Sequence, residues 1–460
     1  MENAMLNHRQ SLTLGLITIV ENLFPEEKLH INYSILDGIY AEFADSLISP
    51  REVDLIEKEL RYWALQNTLI DCRAGEGGYF YCTNGNKTIP TLYPTGDHSG
   101  AIDNFALIPY APGFILHFPS ADHPEDMVPF VPPAKLSATF AESHQWVKNL
   151  GLSQVRDVNR IIEEEPNQLI YLAEALHEKK ISAIADQILA QRQHKKVILI
   201  SGPSSSGKTT FAQRLAVQLR VNGLSPLHLS LDNYFLSRDQ TPRDEQGRHN
   251  FEVLEAIDLP LLNHQILDLI KGKEVETPVF NFVTGTREKQ GHPLRLSPEN
   301  ILIIEGIHGL NPRLIPSLER DQLFRIYVSA LFQLNIDSYN RIPTTQVRMI
   351  RRLVRDDLFR GITPEKTLSQ WSSVRTGEDS NIFPFQEEAD VMFNSSLLYE
   401  LNALRPYAEP LLITITEDNP YYDTAQNCLR LLSFFTPLDT GKVPFNSILR
   451  EFLGDCIFTV

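Results

Sequence analysis

Val197-Ile-Leu-Ile200, then Ser201 and the run Gly202-Pro203-Ser204-Ser205-Ser206-Gly207-Lys208-Thr209-Thr210, is the stretch on which the fold of this chain turns. Four consecutive apolar residues predict a strand covered on both faces, as in a parallel sheet. The glycines and the Lys-Thr pair that follow match the Walker A pattern at every defined position. Beyond them Phe211, Leu215 and Leu219 share one helical face, and Gly223 supplies a stop. Glycines let backbone N–H groups turn inward onto phosphate oxygens, and a helix N-terminus adds partial positive charge. Gly202, Pro203, Ser204, Ser205, Ser206, Gly207, Lys208, Thr209 and Thr210 are therefore the candidate nucleotide site. Lys208 is expected on the β- and γ-phosphates of ATP, and the Thr209 hydroxyl on Mg²⁺.

Further apolar runs follow: Leu227-His-Leu-Ser-Leu231, Ile301-Leu-Ile-Ile304, Phe324-Arg-Ile-Tyr-Val328 and Leu411-Leu-Ile-Thr-Ile415. Strands separated by amphipathic helices predict a doubly wound, mostly parallel α/β sheet. Ligands of such sheets sit beyond the carboxyl ends of the strands. Asp232 and Glu305 fall there. Glu305, before Gly306, is placed as a carboxylate near the metal, with Thr209 and Asp232. Asp232 is the candidate acceptor of the substrate hydroxyl's proton, because a loose phosphoryl transition state needs positioning more than a strong base. The plainer alternative makes Asp232 a cap for the turn that follows it.

Arg348, Arg351, Arg352 and Arg355 recur at helical spacing, with Arg360 just before Gly361. A row of like charges implies an anion, and a lid closing over a triphosphate is the expected role. Pairing with Asp356 and Asp357, or RNA binding, are the other readings.

The rest of the chain sets the frame. Its 460 residues predict more than one domain, and 42% hydrophobic against 22% charged residues is a globular balance. A formal charge of -16 gives no reason to expect general affinity for nucleic acid or anionic membranes. The apolar run Leu12-Thr-Leu-Gly-Leu-Ile-Thr-Ile-Val20 is too short to span a bilayer and is read as a buried helix, so a cytoplasmic location is expected. Four cysteines, Cys72, Cys82, Cys428 and Cys456, are read as reduced thiols. Residues 1–150 predict an α+β domain with an antiparallel sheet, 151–192 a helical connector, 193–416 the P-loop domain, and 417–460 a helical tail.

With these residues placed, residues 195–416 resemble the uridine kinase and phosphoribulokinase family of P-loop kinases. The resemblance rests on the phosphate loop, Leu229-Ser-Leu-Asp232 with Tyr234-Phe235, Phe251-Glu252, and Ala256-Ile257-Asp258. It continues through the segment 278–287 with Phe280 and Arg287, Glu305-Gly-Ile-His308, and 348–361. The resemblance implies Asp232 as catalytic base, Thr209, Asp232 and Glu305 around Mg²⁺, and Arg351, Arg352 and Arg360 as the lid beside Lys208 and Arg355. It also implies a substrate pocket of Asp232, Tyr234, Phe235, Glu252, Phe280, Arg287 and Arg348, with Glu252 where the family holds ribose hydroxyls. Two positions depart from uridine kinases: Gly285 stands in place of a base-reading histidine, and Asn281 in place of an acid. Arg238, Arg243 and Arg248 form a basic cluster suited to a second phosphate.

The whole chain, with Thr241-Pro-Arg-Asp244 and Asn446-Ser-Ile-Leu-Arg-Glu451, resembles a longer nucleoside kinase subgroup. Its N-terminal part, through Leu29-His-Ile-Asn-Tyr-Ser-Ile-Leu-Asp-Gly38, Ser49-Pro-Arg51 and Ile56-Glu57, resembles the second additional domain of threonyl-tRNA synthetase. That domain's paired His-x3-His and Cys-x3-His are lacking, so no editing or metal chemistry is expected there. The expected activity is ATP-dependent phosphorylation of a small hydroxyl-bearing molecule, a nucleoside first. A sugar or sugar phosphate, or a nucleotide-gated RNA- or protein-binding module, are the alternatives, and a homo-oligomer is left open.

Overall fold

A computed structural model describes residues 2–101, 104–119, 127–244, 247, 249–281 and 284–458. The chain opens with α1 (Glu2–Leu23), which contains the apolar run of residues 12–20. Leu12, Leu16 and Val20 are buried there, and no described helix is long and apolar enough to cross a membrane. Then come β1 (Leu29–Ile35), β2 (Gly38–Phe43), α2 (Pro50–Leu65), β3 (Asp71–Ala74), β4 (Phe80–Asn84), β5 (Lys87–Thr91), β6 (Ala106–Tyr110) and β7 (Gly113–His117). They form an antiparallel sheet of order β1-β2-β7-β6 and a smaller one of order β3-β4-β5. The α1 and α2 faces and the strands close on one apolar core.

Cys72 and Cys82 are disulfide-bonded, which corrects the expectation of reduced thiols at those two positions. The antiparallel register of β3 and β4 sets them directly opposite each other. Pairing depends on that register, which separation along the chain does not reveal.

Helices α3 (Ala134–Asn149), α4 (Val155–Glu164) and α5 (Pro166–Ala190) lead to the parallel sheet. Its strands are β8 (Val197–Ser201), β9 (Ser225–Ser230), β14 (Asn300–Glu305), β15 (Leu323–Ser329) and β16 (Val391–Asn394), in the order β16-β15-β8-β14-β9. Every strand of it is parallel to its neighbours. Helix α6 (Lys208–Val221) follows β8 directly and packs beside α5. Between β9 and β14 lie α7 (Leu259–Ile270) and the short strands β10 (Glu274–Thr277), β11 (Phe280–Asn281), β12 (Thr286–Arg287) and β13 (His292–Arg295). After β15 come α8 (Thr344–Arg360) and α9 (Pro364–Asn381), and after β16 come α10 (Glu400–Ile413), α11 (Tyr422–Ser433) and α12 (Arg450–Leu453).

The expected strand at residues 411–415 is a second correction, because α10 runs through Ile413. A short apolar run reads equally as strand or buried helix. Here Leu401, Leu404, Ala408 and Leu412 make a helical stripe of fully buried residues, so the run is the end of a helix. The fifth strand is β16 instead.

The two halves are fastened by the turn ahead of α8. The Ile31 N–H donates to Ser338 O (2.8 Å), and the Tyr339 hydroxyl donates to Glu21 Oε1 (2.8 Å). Asn340 accepts from the Leu92 N–H (2.7 Å) and donates to Pro90 O (2.9 Å), while the Tyr79 hydroxyl donates to Asp337 Oδ2 (2.8 Å).

Candidate active site

The loop between β8 and α6 turns because its residues tolerate what the turn demands. Gly207 has φ +82°, and a Cβ there would lie 2.4 Å from Ile448 Cγ2. A Cβ on Gly202 would lie 1.9 Å from Val328 O, so the loop can pass β15 only with glycine. Ser205 also has a positive φ, +58°, a sparsely populated state for serine of the kind stored at functional loops.

The outward-facing groups of this loop are held from behind. Arg348 Nη1 donates to Ser204 O (3.1 Å), Arg351 Nη1 to Ser205 O (3.4 Å), and Ser395 Oγ to Ser206 O (2.5 Å). The Ser204 N–H donates to Glu378 Oε1 (3.0 Å), and Arg352 Nη1 donates to Ser204 Oγ (3.0 Å). Carbonyls fixed on donors leave a loop whose remaining N–H groups can face an anion. The Lys208 side chain is buried, and its Nζ donates to Pro203 O (3.0 Å). Burial lowers its pKa, against the pull of the nearby Glu305, Asp232 and Glu451 carboxylates. Thr209 is half-buried at the start of α6. The hydroxyls of Ser205 and Ser206 are enclosed without a partner among the described residues.

Glu305 ends β14, where it pairs in register with Ser230 of β9, and the Ser230 hydroxyl donates to Glu305 Oε1 (2.8 Å). Burial, and then the negative charge of Asp232, push the Glu305 carboxyl up to about 7. Asp232 lies in the helical turn Leu231–Tyr234 that follows β9, in its first turn and not at the cap position, which is Ser230. A buried carboxyl with a second carboxylate beside it makes a place for a cation. Among the described residues no three His, Cys, Asp or Glu form a metal cluster. The donor set of Asp232, Glu305 and the Thr209 hydroxyl consists of hard oxygens, too few to enclose an ion alone. That suits Mg²⁺, which completes its shell with water and phosphate.

The acceptor side divides. Phe235 is packed edge-on against Phe251 (6.0 Å) and Phe280 (5.9 Å), and Glu252 lies beside them in sequence with Oε2 enclosed and unpartnered. Burial pushes the Glu252 carboxyl up to about 7 against the pull of Arg352, with Glu378 adding to the rise. Tyr234 corrects the expected substrate set. Tyr234 is fully buried with its hydroxyl on Gln265 Oε1 (2.6 Å). Arg287 is tied to Asp258 Oδ2 (2.9 Å) and to Tyr234 O (2.9 Å). Asn281 Nδ2 donates to Glu288 Oε1 (2.8 Å). A Cβ on Gly285 would lie 2.3 Å from Arg238 Nε, so the arginine fills the space a side chain there would take. Arg243 is exposed and donates to Gly247 O (2.6 Å); Arg248, Phe282 and Val283 lie outside the described residues.

The arginine row of α8 is not one anion-binding face, which is a further correction. Arg348 and Arg351 are fully buried, in ion pairs with Glu378 and Glu400 respectively. Arg351 also donates to Ser395 O (3.0 Å). A guanidinium inside the protein must be paired, and these two are paired while bracing the phosphate loop. Arg352, Arg355 and Arg360 remain near the mouth, around the buried Asp356 at 3.2, 3.0 and 3.6 Å. The pairing with Asp356 is thus present in the lid candidates themselves. A cavity of about 290 Å³ lies elsewhere, between α3, α5 and β16, and none of the candidate residues lines it.

Sequence reasoning missed Glu378, Glu400 and Ser395, the acids and hydroxyl that brace the loop. They stand 30, 49 and 44 residues from their arginines, and no local pattern marks them.

Comparison with known proteins adds matches to families, to relatives and to a solved structure. The pattern of the "Phosphoribulokinase / Uridine kinase family" matches residues 197–398, and that of the "Rad17 P-loop domain" matches 164–228. A uridine kinase of Ligilactobacillus salivarius is 30% identical over 206 residues, covering 44% of this chain and 87% of the relative. One from Deinococcus deserti is 30% identical over 197 residues, covering 43% and 86%. A solved structure described as a possible uridine kinase from Bacillus stearothermophilus aligns with 22% identity and a TM-score of 0.33, over 47% of this chain and 98% of its own. Residues 1–196 and 399–460 lie outside the first match.

Proposed function

We propose, from the premise that this chain belongs to the phosphoribulokinase / uridine kinase family, that it transfers the γ-phosphoryl group of ATP to a hydroxyl of a small molecule, a nucleoside first. The observation that carries this reading is the meeting of three groups: Lys208 on a braced phosphate loop, Asp232 after β9, and Glu305 at the end of β14. Lys208 and the loop amides hold the phosphates, and Arg352, Arg355 and Arg360 offset charge that builds on the transferring group. Asp232 orients the acceptor hydroxyl and takes its proton. Mg²⁺, held by Thr209, Asp232 and Glu305 together with phosphate oxygens, would supply charge neutralisation there. Phe235, Phe280 and Glu252 offer an aromatic wall and an acid to a ring carrying hydroxyls.

A sugar phosphate is the second reading, favoured by Arg238 packed over Gly285, which puts a guanidinium where uridine kinases carry a base-reading side chain. Nucleosides, pentoses, polyols and sugar phosphates tested for acceptor-dependent ADP release separate the two. Asp232→Asn is expected to keep nucleotide affinity and lose at least ~10²-fold in turnover. An Asp232→Asn protein of undiminished turnover removes that residue from the chemistry.

A further inference from the structure

The N-terminus of α6 already holds an anion, and it comes from the far end of the same chain. Thr210, the third residue of the helix, donates its backbone N–H to Glu451 Oε2 at 3.1 Å. The first amides of a helix have no acceptor within it, and behind a phosphate loop they are the groups a phosphate takes. Two anions converging on one N–H repel each other. Glu451 also shares the electrostatic neighbourhood of Lys208 and Glu305.

The segment that carries Glu451 is built against the loop. Ile448 is fully buried over Gly207, within the core formed by α5, α6 and the sheet. Phe452 is fully buried beneath Arg351, whose guanidinium lies 5.1 Å from its ring centre. Arg450 fixes the backbone around it through Val443 O (2.6 Å) and Thr440 O (2.8 Å). The carboxylate is therefore delivered to the Thr210 amide by a packed element.

We propose that Glu451 is a built-in occupant of the phosphate site, displaced when a nucleotide's phosphate takes the Thr210 amide, so that seating of the segment 446–454 and nucleotide loading oppose one another. This deepens the nucleotide reading of the loop and rests on it. The opposition is reciprocal: whatever draws the segment off strengthens nucleotide binding, and nucleotide loosens the segment. A partner or modification acting on the C-terminal segment would set the enzyme's affinity for its phosphoryl donor.

The test is calorimetric titration of the full chain with ATP and Mg²⁺, in four forms: wild type, Glu451→Ala, Glu451→Gln and Lys208→Ala. It is paired with hydrogen exchange of peptides covering 446–454. Losing one charge-assisted competitor is expected to tighten ATP about 10-fold in Glu451→Ala, and by less in Glu451→Gln, whose amide oxygen still accepts. Exchange across 446–454 in the wild type is expected to quicken when ATP is added. Should Glu451→Ala fold poorly, the isosteric Glu451→Gln carries the comparison. If wild type binds ATP through Lys208 while the Glu451 variants bind no tighter, or exchange is unchanged or slower with ATP, the competition is refuted and the loop reading stands. If neither wild type nor the Glu451 variants bind ATP, the loop reading falls and takes the competition with it.

Discussion

Replacing Arg351 with Met separates a bracing arginine from a catalytic one. The guanidinium and the Glu400 carboxylate are both fully buried, bonded through Nε (3.1 Å) and through Nη2. Glu400 Oε1 has no partner among the described residues, so without Arg351 the carboxylate keeps little beyond the Leu397 backbone. Breaking one side of a buried pair costs about 3–5 kcal/mol, largely the penalty of the stranded charge. Burial raises the Glu400 pKa even with Arg351 present, and removing the arginine raises it further. A carboxyl whose folded pKa is raised is favourable to folding below its unfolded pKa and loses that contribution as pH climbs through the folded value. The Arg351→Met deficit in urea unfolding should therefore be small near pH 5 and grow toward pH 8. The double variant Arg351→Met/Glu400→Leu, with no charge to strand, should return to within about 1–2 kcal/mol of wild type. A single variant within about 1 kcal/mol of wild type at pH 8 refutes the bracing role. So does a double variant that folds well, binds ATP normally, and has lost turnover by ~10³-fold, the signature of a charge needed only in the transition state.

Two other perturbations follow from the same geometry. Gly207→Ala places a methyl 2.4 Å from Ile448 Cγ2 at φ +82°, and strain plus overpacking should cost about 2–4 kcal/mol in thermal or urea unfolding, with weakened ATP binding. Wild-type stability there would mean the C-terminal segment does not press on the loop. The Glu252 carboxyl is pushed up to about 7 by burial, so the nucleotide-free protein should lose stability as pH rises from about 4.5 to 7. Glu252→Gln should flatten that loss by about 1–2 kcal/mol, and an unaltered pH profile would show that the acid is not enclosed.

What could be read from residues in order was local. The phosphate loop announces itself because strand, glycines, lysine and helix are contiguous, and Asp232 and Glu305 could be placed because strand ends point one way in a parallel sheet. The helical spacing of the α8 arginines was also plain. Which arginines face a ligand was not, since that depends on Glu378 and Glu400, brought in by other helices. Leu411–Ile415 misled because a five-residue apolar run fits two periodicities, and only the buried stripe from Leu401 onward decides between them. The Cys72–Cys82 bond needed the register of a hairpin. Glu451 sits in a segment whose sequence was notable, yet its bond to Thr210 spans 241 residues and no spacing rule reaches that far.

The turn at residues 337–340 ties the first third of the chain mechanically to the phosphate loop. It is stitched to β1, β5 and α1 on one side and runs directly into α8 on the other, and α8 carries the two arginines that hold the phosphate loop in shape. Cutting away the N-terminal sheets would strip Ser338, Tyr339 and Asn340 of their anchors and let the near end of that helix swing. The phosphate loop is thus aligned from outside itself, as a lathe is trued from its bed.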